Sequence, residues 1–514
     1  MRLCVPLFSS VRLDSERQST RHPRCRSVAV MLAFMLLGLA PGRIGVVVAA
    51  DTPAGPNIIL VMTDDQGYGD LACHGNPELN TPNLDRFHSQ SVRFRQFMVS
   101  PTCAPTRCAL MTGRHEFRSG VTHTIQERER MALSAKTLPE SLRRAGYTTG
   151  IFGKWHLGDE DAYQPEKRGF DEVFIHGAGG IGQTYPGSCG DAPNNRYFNP
   201  AILHNGRFVK TKGYCTDLFF NQAISWIKNQ NGKQRFFCYI STNTPHTPLI
   251  CPSEYEKKYT GKVPPNTAKF FGMIENIDDN FGRLLKTVAD LGIEKETLII
   301  FMTDNGGTGG CDLFNAGMRG RKGTPYLGGI RVPCFFRWPG TFTPGDVDAL
   351  AGHIDLLPTL TELAAAPRPA GVTLDGRSLV PLLKNPKADW PDRILFTHLG
   401  RWPTGKAAEA KYRQCSLRNS RFQMVSSKPS GEKSWELYDL VADPGQTTNV
   451  LDKFPEVVRE FEAAYDAWWQ SIQPGLVNEN AVGPAVNPFK ERYWRQFPEE
   501  RPKKSKETTP PEKS

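Results

Sequence analysis

After its first fifty residues the chain has no stretch that reads as a membrane span. It has no CxxC pair, and little net charge once its two ends are set aside. The first absence argues against a span in the body of the chain, and stable membrane insertion is not expected. The second removes the common zinc-binding spacing. The third bears on partners. The formal charge is +10, but residues 1–50 hold +5 of it and residues 501–514 hold +3, leaving +2 for residues 51–500. A nucleic-acid-binding body needs a basic face, so nucleic acid is not an expected partner.

What is present bounds the architecture. A chain of 514 residues accommodates a large core and a smaller companion. Forty prolines and 47 glycines imply long loops, where sites usually sit. Residues 1–50 read as a signal peptide. Arg2, Arg12, Arg17, Arg21, Arg24 and Arg26 make a basic segment. Val28–Ala40 is apolar but short for a bilayer, and Val48-Ala49-Ala50 offers small residues for cleavage. An anchoring helix is the alternative. Export to the periplasm or medium follows, and it permits disulfides. Cys189 and Cys215 are placed to bridge a loop-rich insertion, whereas Cys238 and Cys334 sit in apolar runs and are expected to be buried. The expected layout is a catalytic domain over 51–385, a C-terminal subdomain over 386–485 and a disordered tail over 486–514.

Four apolar runs each end in a polar burst. Asn57–Met62 runs into Thr63-Asp64-Asp65-Gln66-Gly67, and Thr148–Phe152 into Gly153-Lys154-Trp155-His156. Arg235–Ser241 precedes Asn243-Thr244-Pro245-His246, and Thr297–Met302 precedes Thr303-Asp304-Asn305. Short continuous apolar runs fit strands buried on both faces. Helical patterns at Leu138–Ala145 and Phe270–Leu291 lie between them, so the pattern predicts an α/β fold with parallel strands. Ligands of such sheets sit beyond the strands' carboxyl ends. Asp64, Asp65, Lys154, His156, His246, Asp304 and Asn305 are therefore expected to converge. Singly, a double Asp after a strand is most simply a turn, and a loop His or Lys is most simply solvated.

The run Pro101-Thr102-Cys103-Ala104-Pro105-Thr106-Arg107 leads into Cys108-Ala109-Leu110-Met111-Thr112 and then Gly113. Early Pro and late Gly mark helix boundaries. Cys103 would sit at a helix N-terminus, which favours an anion, with Arg107 one turn along. The plainer reading is a structural thiol or one of lowered pKa.

CAPTRCALMTGR resembles the signature of the formylglycine-dependent sulfatases, in the alkaline phosphatase superfamily. So do NIILVMTDDQGYGDLACHGNPELNTPNLD, GIFGKWHLG, TPHTP, TDNGG and RGRKGTPYLGGIRVP, with GHIDLLPTL and WELYDLVADPGQTTNV further on. The resemblance runs over about residues 55–470. Thr106 stands where Ser is commoner. It implies an alkaline-phosphatase-like α/β sandwich, with a large mixed sheet and a smaller C-terminal antiparallel subdomain. A helix over Pro455–Ile472 would pack that subdomain, its stripe being Val458, Phe461, Tyr465 and Trp468.

It also implies chemistry. Cys103 would become formylglycine through a formylglycine-generating enzyme. The hydrate would attack sulfur with one hydroxyl and release sulfate by deprotonation of the other. Asp64, Asp65, Asp304 and Asn305, with the residue at Cys103, would hold one Ca²⁺, whose preference is for oxygen ligands. Arg107 and Lys154 would stabilise the diol oxygens. His156 would act as base, and His246 with Lys322 would contact sulfate and protonate the departing alcohol. The expected substrate is a sulfated small molecule or saccharide, with a sulfated carbohydrate foremost. Specificity would come from Asp159–Cys215, Thr308–Arg321 and the segment around Arg401, Trp402 and Lys406. Trp402 is expected to stack on a sugar or simply to pack. The rivals are a phosphodiesterase or phosphonate monoester hydrolase of the same superfamily, and a non-catalytic glycan-binding homologue.

Overall fold

A computed structural model describes residues 55–184 and 190–502. The signal-peptide reading and Cys189 fall outside these residues. Among the described residues, no helix is long and apolar enough to cross a membrane, and nine cysteines are free thiols.

Five parallel strands form the centre of a ten-stranded sheet. In spatial order they are Thr297–Thr303, Asn57–Thr63, Phe236–Ser241, Thr148–Lys154 and Glu172–His176. The four expected strands are all present, and a fifth adds to them. Antiparallel strands flank this centre. Cys334–Arg337 pairs beside 297–303, and the hairpin of Ala201–His204 and Arg207–Lys210 lies beyond 172–176. The sheet is therefore mixed.

The apolar runs are continuous because both faces are covered. Ile58, Leu60 and Met62 pack against helices Cys103–Thr112, Leu138–Arg144 and Leu356–Leu363. Ile59 and Val61 face the other way, toward Pro82–Ser89, Cys215–Gln230 and Pro265–Asp290. Successive strand residues alternate between faces, so every position from Asn57 to Thr63 is buried. Cys238 and Cys334 are fully buried in this sheet, as expected.

A separate antiparallel sheet follows, in the order Leu395–His398, Cys415–Arg418, Phe422–Ser426 and Trp435–Asp439. Helix Pro455–Ile472 covers it with Phe461, Tyr465, Trp468 and Trp469, all buried. Trp402 belongs to this core. It is 1% exposed, its indole N–H donates to Glu479 at 2.8 Å, and the Arg128 guanidinium lies 5.0 Å from its ring centroid. Of the two expectations for Trp402, packing holds and stacking on a sugar is corrected.

The tail expectation also needs correction. Residues 488–496 form a helix, Pro488–Gln496, with Asn487 capping it by accepting from the Phe489 N–H. Its Phe489 and Tyr493 pack on Phe208, at ring centroid separations of 5.9 and 5.3 Å. The Gln496 amide accepts from the Phe208 N–H at 2.8 Å and donates to the Phe208 carbonyl at 2.7 Å. Phe208 lies on the outermost strand, whose free backbone groups need such cover. Pro and charge in the sequence suggested disorder, but the aromatic pair supplies an anchor. Residues 503–514 lie outside the described part. We expect Phe489→Ala to destabilise the fold by about 3–5 kcal/mol, the usual cost of emptying a buried Phe site. Denaturant unfolding checks this, and a loss under about 1 kcal/mol would mean the helix is not anchored there.

Candidate active site

The parallel strands deliver their carboxyl ends to one edge of the sheet. Asp64 and Asp65 follow strand 57–63, Asp304 and Asn305 follow 297–303, and Lys154 and His176 end neighbouring strands in register. His246 follows strand 236–241. Helix Cys103–Thr112 points its first turn at the same edge. Thr102 is extended, no side chain caps the helix start, and Gly113 ends it at φ 64° with its N–H on the Ala109 carbonyl. The free N–H groups of that first turn favour negative charge. Cys103 is buried there.

Arg107, one turn along, is 1% exposed. Its guanidinium donates to Asp304 Oδ2 at 2.8 Å, to the Lys154 carbonyl at 3.4 Å and to Ser241 Oγ. Lys154 Nζ meets Asp64 Oδ2 at 2.6 Å, both fully buried. Asp65 turns through φ 68°, and its N–H donates to Asp304 Oδ1 at 3.1 Å. Its Oδ1 receives Lys322 Nζ at 2.6 Å and Asn305 Nδ2 at 3.0 Å. The Gly323 N–H donates to the Pro101 carbonyl at 2.9 Å, which ties the Lys322 loop to the start of the Cys103 helix.

The charges do not settle themselves. Burial and the neighbouring Asp64 push the Asp304 carboxyl up to about 7 despite Arg107. Burial also acts to raise Asp65, but Lys322, His246 and the Asn305 amide hold it below the usual carboxylate range. Asp64 Oδ1 and Asn305 Oδ1 are buried oxygens with no hydrogen-bond partner. Unpartnered buried acceptors are rare and ask for a reason. One ligand atom each from Asp64, Asp65, Cys103 and His246 lies within 4.8 Å of the others. Two orphaned oxygens beside crowded carboxylates fit a hard cation that takes oxygen ligands.

The histidines have assignable tautomers. His156 Nε2 lies 2.8 Å from the Thr124 carbonyl, so Nε2 carries the hydrogen, and the buried Nδ1 has no partner. Burial and Lys154 lower its pKa well below the ordinary value, so Nδ1 presents a lone pair. His246 Nδ1 donates to the Thr247 carbonyl at 2.7 Å, leaving Nε2 3.8 Å from Asp65 Oδ2. Burial brings His246 down to about 4 against the pull of Asp65. Burial opposes the charge on Lys322 too, but Asp65 and Cys103 outweigh it and the ammonium is retained.

All the residues expected at the site are therefore together. Others at the edge were not foreseen. His176 is fully buried with both ring nitrogens unpartnered, and its field partners are Lys154, Arg107 and His246. Its signal was the apolar run Glu172–His176 followed by Gly177, a fifth strand end. Ser241 and Thr124 act through single atoms in otherwise ordinary sequence. Of the three outer residues named for specificity, only Arg401 reaches inward. It turns through φ 57°, donates from Nη2 to Thr124 Oγ1 at 3.0 Å, and feels the charges of Cys103 and Asp65. Its Nε is buried without a partner. Lys406 pairs with Glu409 on the surface at 2.6 Å instead.

Comparison with known proteins agrees with this geometry. The family model described as Sulfatase matches residues 56–366, and one described as N-sulphoglucosamine sulphohydrolase, C-terminal, matches residues 322–465. Arylsulfatase A of Homo sapiens is 33% identical over 462 residues, covering 81% of this chain and 86% of that protein. N-acetylgalactosamine-6-sulfatase of Rattus norvegicus is 33% identical over 388 residues, covering 68% and 70%. Among solved structures, Ps i-CgsB in complex with k-i-k-neocarrahexaose superposes with a TM-score of 0.72 at 26% identity, covering 87% of this chain and 98% of that one. Its fold is thus the alkaline-phosphatase-like sandwich, and the chain belongs to the sulfatase family and is a sulfuric ester hydrolase.

Proposed function

We propose that the chain hydrolyses sulfate esters of carbohydrates outside the cytoplasm, using formylglycine made from Cys103 and one calcium ion. The observation that carries this is the placing of Cys103. It opens an uncapped helix turn and lies within 4.8 Å of ligand atoms from Asp64, Asp65 and His246. The maturation partner would be a formylglycine-generating enzyme, acting on an exported chain.

Asp64, Asp65, Asp304, Asn305 and the residue at Cys103 would hold calcium, which supplies positive charge for sulfate oxygens. A hydrated aldehyde at position 103 would supply one hydroxyl to attack sulfur and a second whose deprotonation would free sulfate. The chain's own groups do the rest. Three carboxylates and the cations Arg107, Lys154 and Lys322 cancel in the protein, so a divalent cation leaves the site positive for an anionic ester. Arg107 and Lys154 are fixed by Asp304 and Asp64, so their positions are set before substrate arrives. His156 Nδ1 has the free lone pair that removes the second hydroxyl's proton. Lys322 keeps a proton to give to the departing alcohol, with His246 beside it.

The carbohydrate reading rests on relatives named for N-acetylgalactosamine 6-sulfate and on a neighbour crystallised with a sugar chain. Arg401 supports it from within this chain. A half-buried guanidinium held by one hydroxyl has donors left for a second anionic or hydroxyl group on the substrate. Kinetics on sulfated oligosaccharides, aryl sulfates and aryl phosphodiesters test the proposal. The expected order places a sulfated sugar first and the phosphodiester last. We expect Arg401→Ala to lower kcat/KM for that sugar by roughly 10- to 100-fold, the value of a hydrogen bond to a charged group. Aryl sulfate should change far less. Equal losses on both would remove Arg401 from sugar recognition, and a preferred aryl sulfate or phosphodiester would contradict the substrate class.

A further inference from the structure

A second cluster of metal-ligating side chains lies outside the site just described. Cys73 and His74 sit on the short turn Ala72–His74, and His88 lies in the last turn of helix Pro82–Ser89. The Cys73 sulfur and one nitrogen from each imidazole lie within 4.8 Å of one another. They line an open cavity of about 530 Å³ together with Tyr68 and Phe335.

The two elements are fastened to each other. The Cys73 N–H donates to Asp85 Oδ1 at 2.9 Å, and Asp85 belongs to the His88 helix. Gly75 closes the short turn at φ 94°, with its N–H 2.9 Å from the Ala72 carbonyl. His74 stacks on Tyr68 with ring centroids 3.9 Å apart, and its Nδ1 lies 2.7 Å from the Tyr68 carbonyl. A carbonyl only accepts, so Nδ1 carries the hydrogen and Nε2 keeps the lone pair. A backbone carbonyl on one ring nitrogen is how metal-binding imidazoles are commonly fixed. Phe335 meets both rings edge-on, at 5.5 and 5.0 Å between centroids.

We propose that Cys73, His74 and His88 form a second metal site for a zinc-class divalent cation, with its fourth position open to the cavity. One sulfur and two imidazole nitrogens suit zinc and disfavour calcium. Ligand atoms within 4.8 Å of one another are close enough to share one cation, with zinc–ligand distances of about 2.0–2.3 Å as the target of closure. The Cys73 thiol would release its proton to solvent on ligating, as metal-bound thiols do. Of the neighbouring cations, Arg93 is paired with Asp346 at 2.5 Å and Arg331 lies over the Tyr68 ring at 4.0 Å.

Cobalt(II) titration of the full, calcium-replete protein tests the proposal. One equivalent should develop thiolate-to-cobalt charge transfer and tetrahedral visible bands, and zinc should displace them. Cys73→Ser should abolish the charge-transfer band, while Cys103→Ala leaves it in place. His88→Ala should weaken zinc binding by at least about 10–100-fold, more than loss of an outer partner costs, and serves where Cys73→Ser folds poorly. Absence of the bands would overturn the site. So would bands that vanish with Cys103→Ala and survive in both Cys73→Ser and His88→Ala.

Discussion

Cys103→Ala is expected to fold like the parent and to lose turnover of every sulfate ester, by about the 10⁶-fold that removal of a nucleophile costs. The side chain is small and buried at a helix start, so alanine fits the space. Cys103→Ser is the sharper variant. A single hydroxyl can take the sulfuryl group from an ester, but it has no second hydroxyl to expel it. Serine should therefore give at most one alcohol per enzyme and then stop, with sulfate retained on the protein. Rapid-quench kinetics and intact mass reveal both signs. Steady turnover by either variant would remove Cys103 from the chemistry.

Asp304→Ala should lose bound calcium and nearly all activity. Asp304 Oδ1 accepts from the Asp65 N–H and Oδ2 from Arg107, so one carboxylate orders both halves of the site. Alanine also strands the Arg107 guanidinium in a buried place, where an unpaired charge costs about 3–5 kcal/mol. Asp304→Asn separates these effects. It keeps the size and one of the two acceptors but removes charge, so it should fold better than alanine and bind calcium poorly. Calcium should raise the parent's Tm, since a ligand of the native state stabilises it, and should move Asp304→Asn much less. Metal analysis and thermal melts decide this. Stoichiometric zinc at these ligands, or full activity in Asp304→Ala, would contradict the assignment.

The legible parts of the molecule were those where one local rule dominated. Strands buried on both faces show as unbroken apolar runs, so Asn57–Thr63 and Thr297–Thr303 could be read with the polar residues that follow them. Pro105 and Gly113 marked the ends of the Cys103 helix in the same way. Tertiary partners were not legible. Ser241 and the Thr124 carbonyl gain roles only because strand and loop meet Arg107 and His156. Trp402 beside Arg401 reads equally as a sugar platform or as packing, and only the fold decides: its indole lies in the C-terminal core while Arg401 reaches Thr124. Helix Pro488–Gln496 was hidden because its stability comes from Phe208 and from capping an edge strand, not from its own polar sequence.

The central claim is that Cys103 is the precursor of the nucleophile. Mass spectrometry of the peptide spanning Cys103 tests it most directly, on active protein matured with a formylglycine-generating enzyme. The account predicts an aldehyde in place of the thiol, in a fraction that rises in proportion to specific activity. A fully active preparation with an intact, alkylatable Cys103 thiol would contradict it.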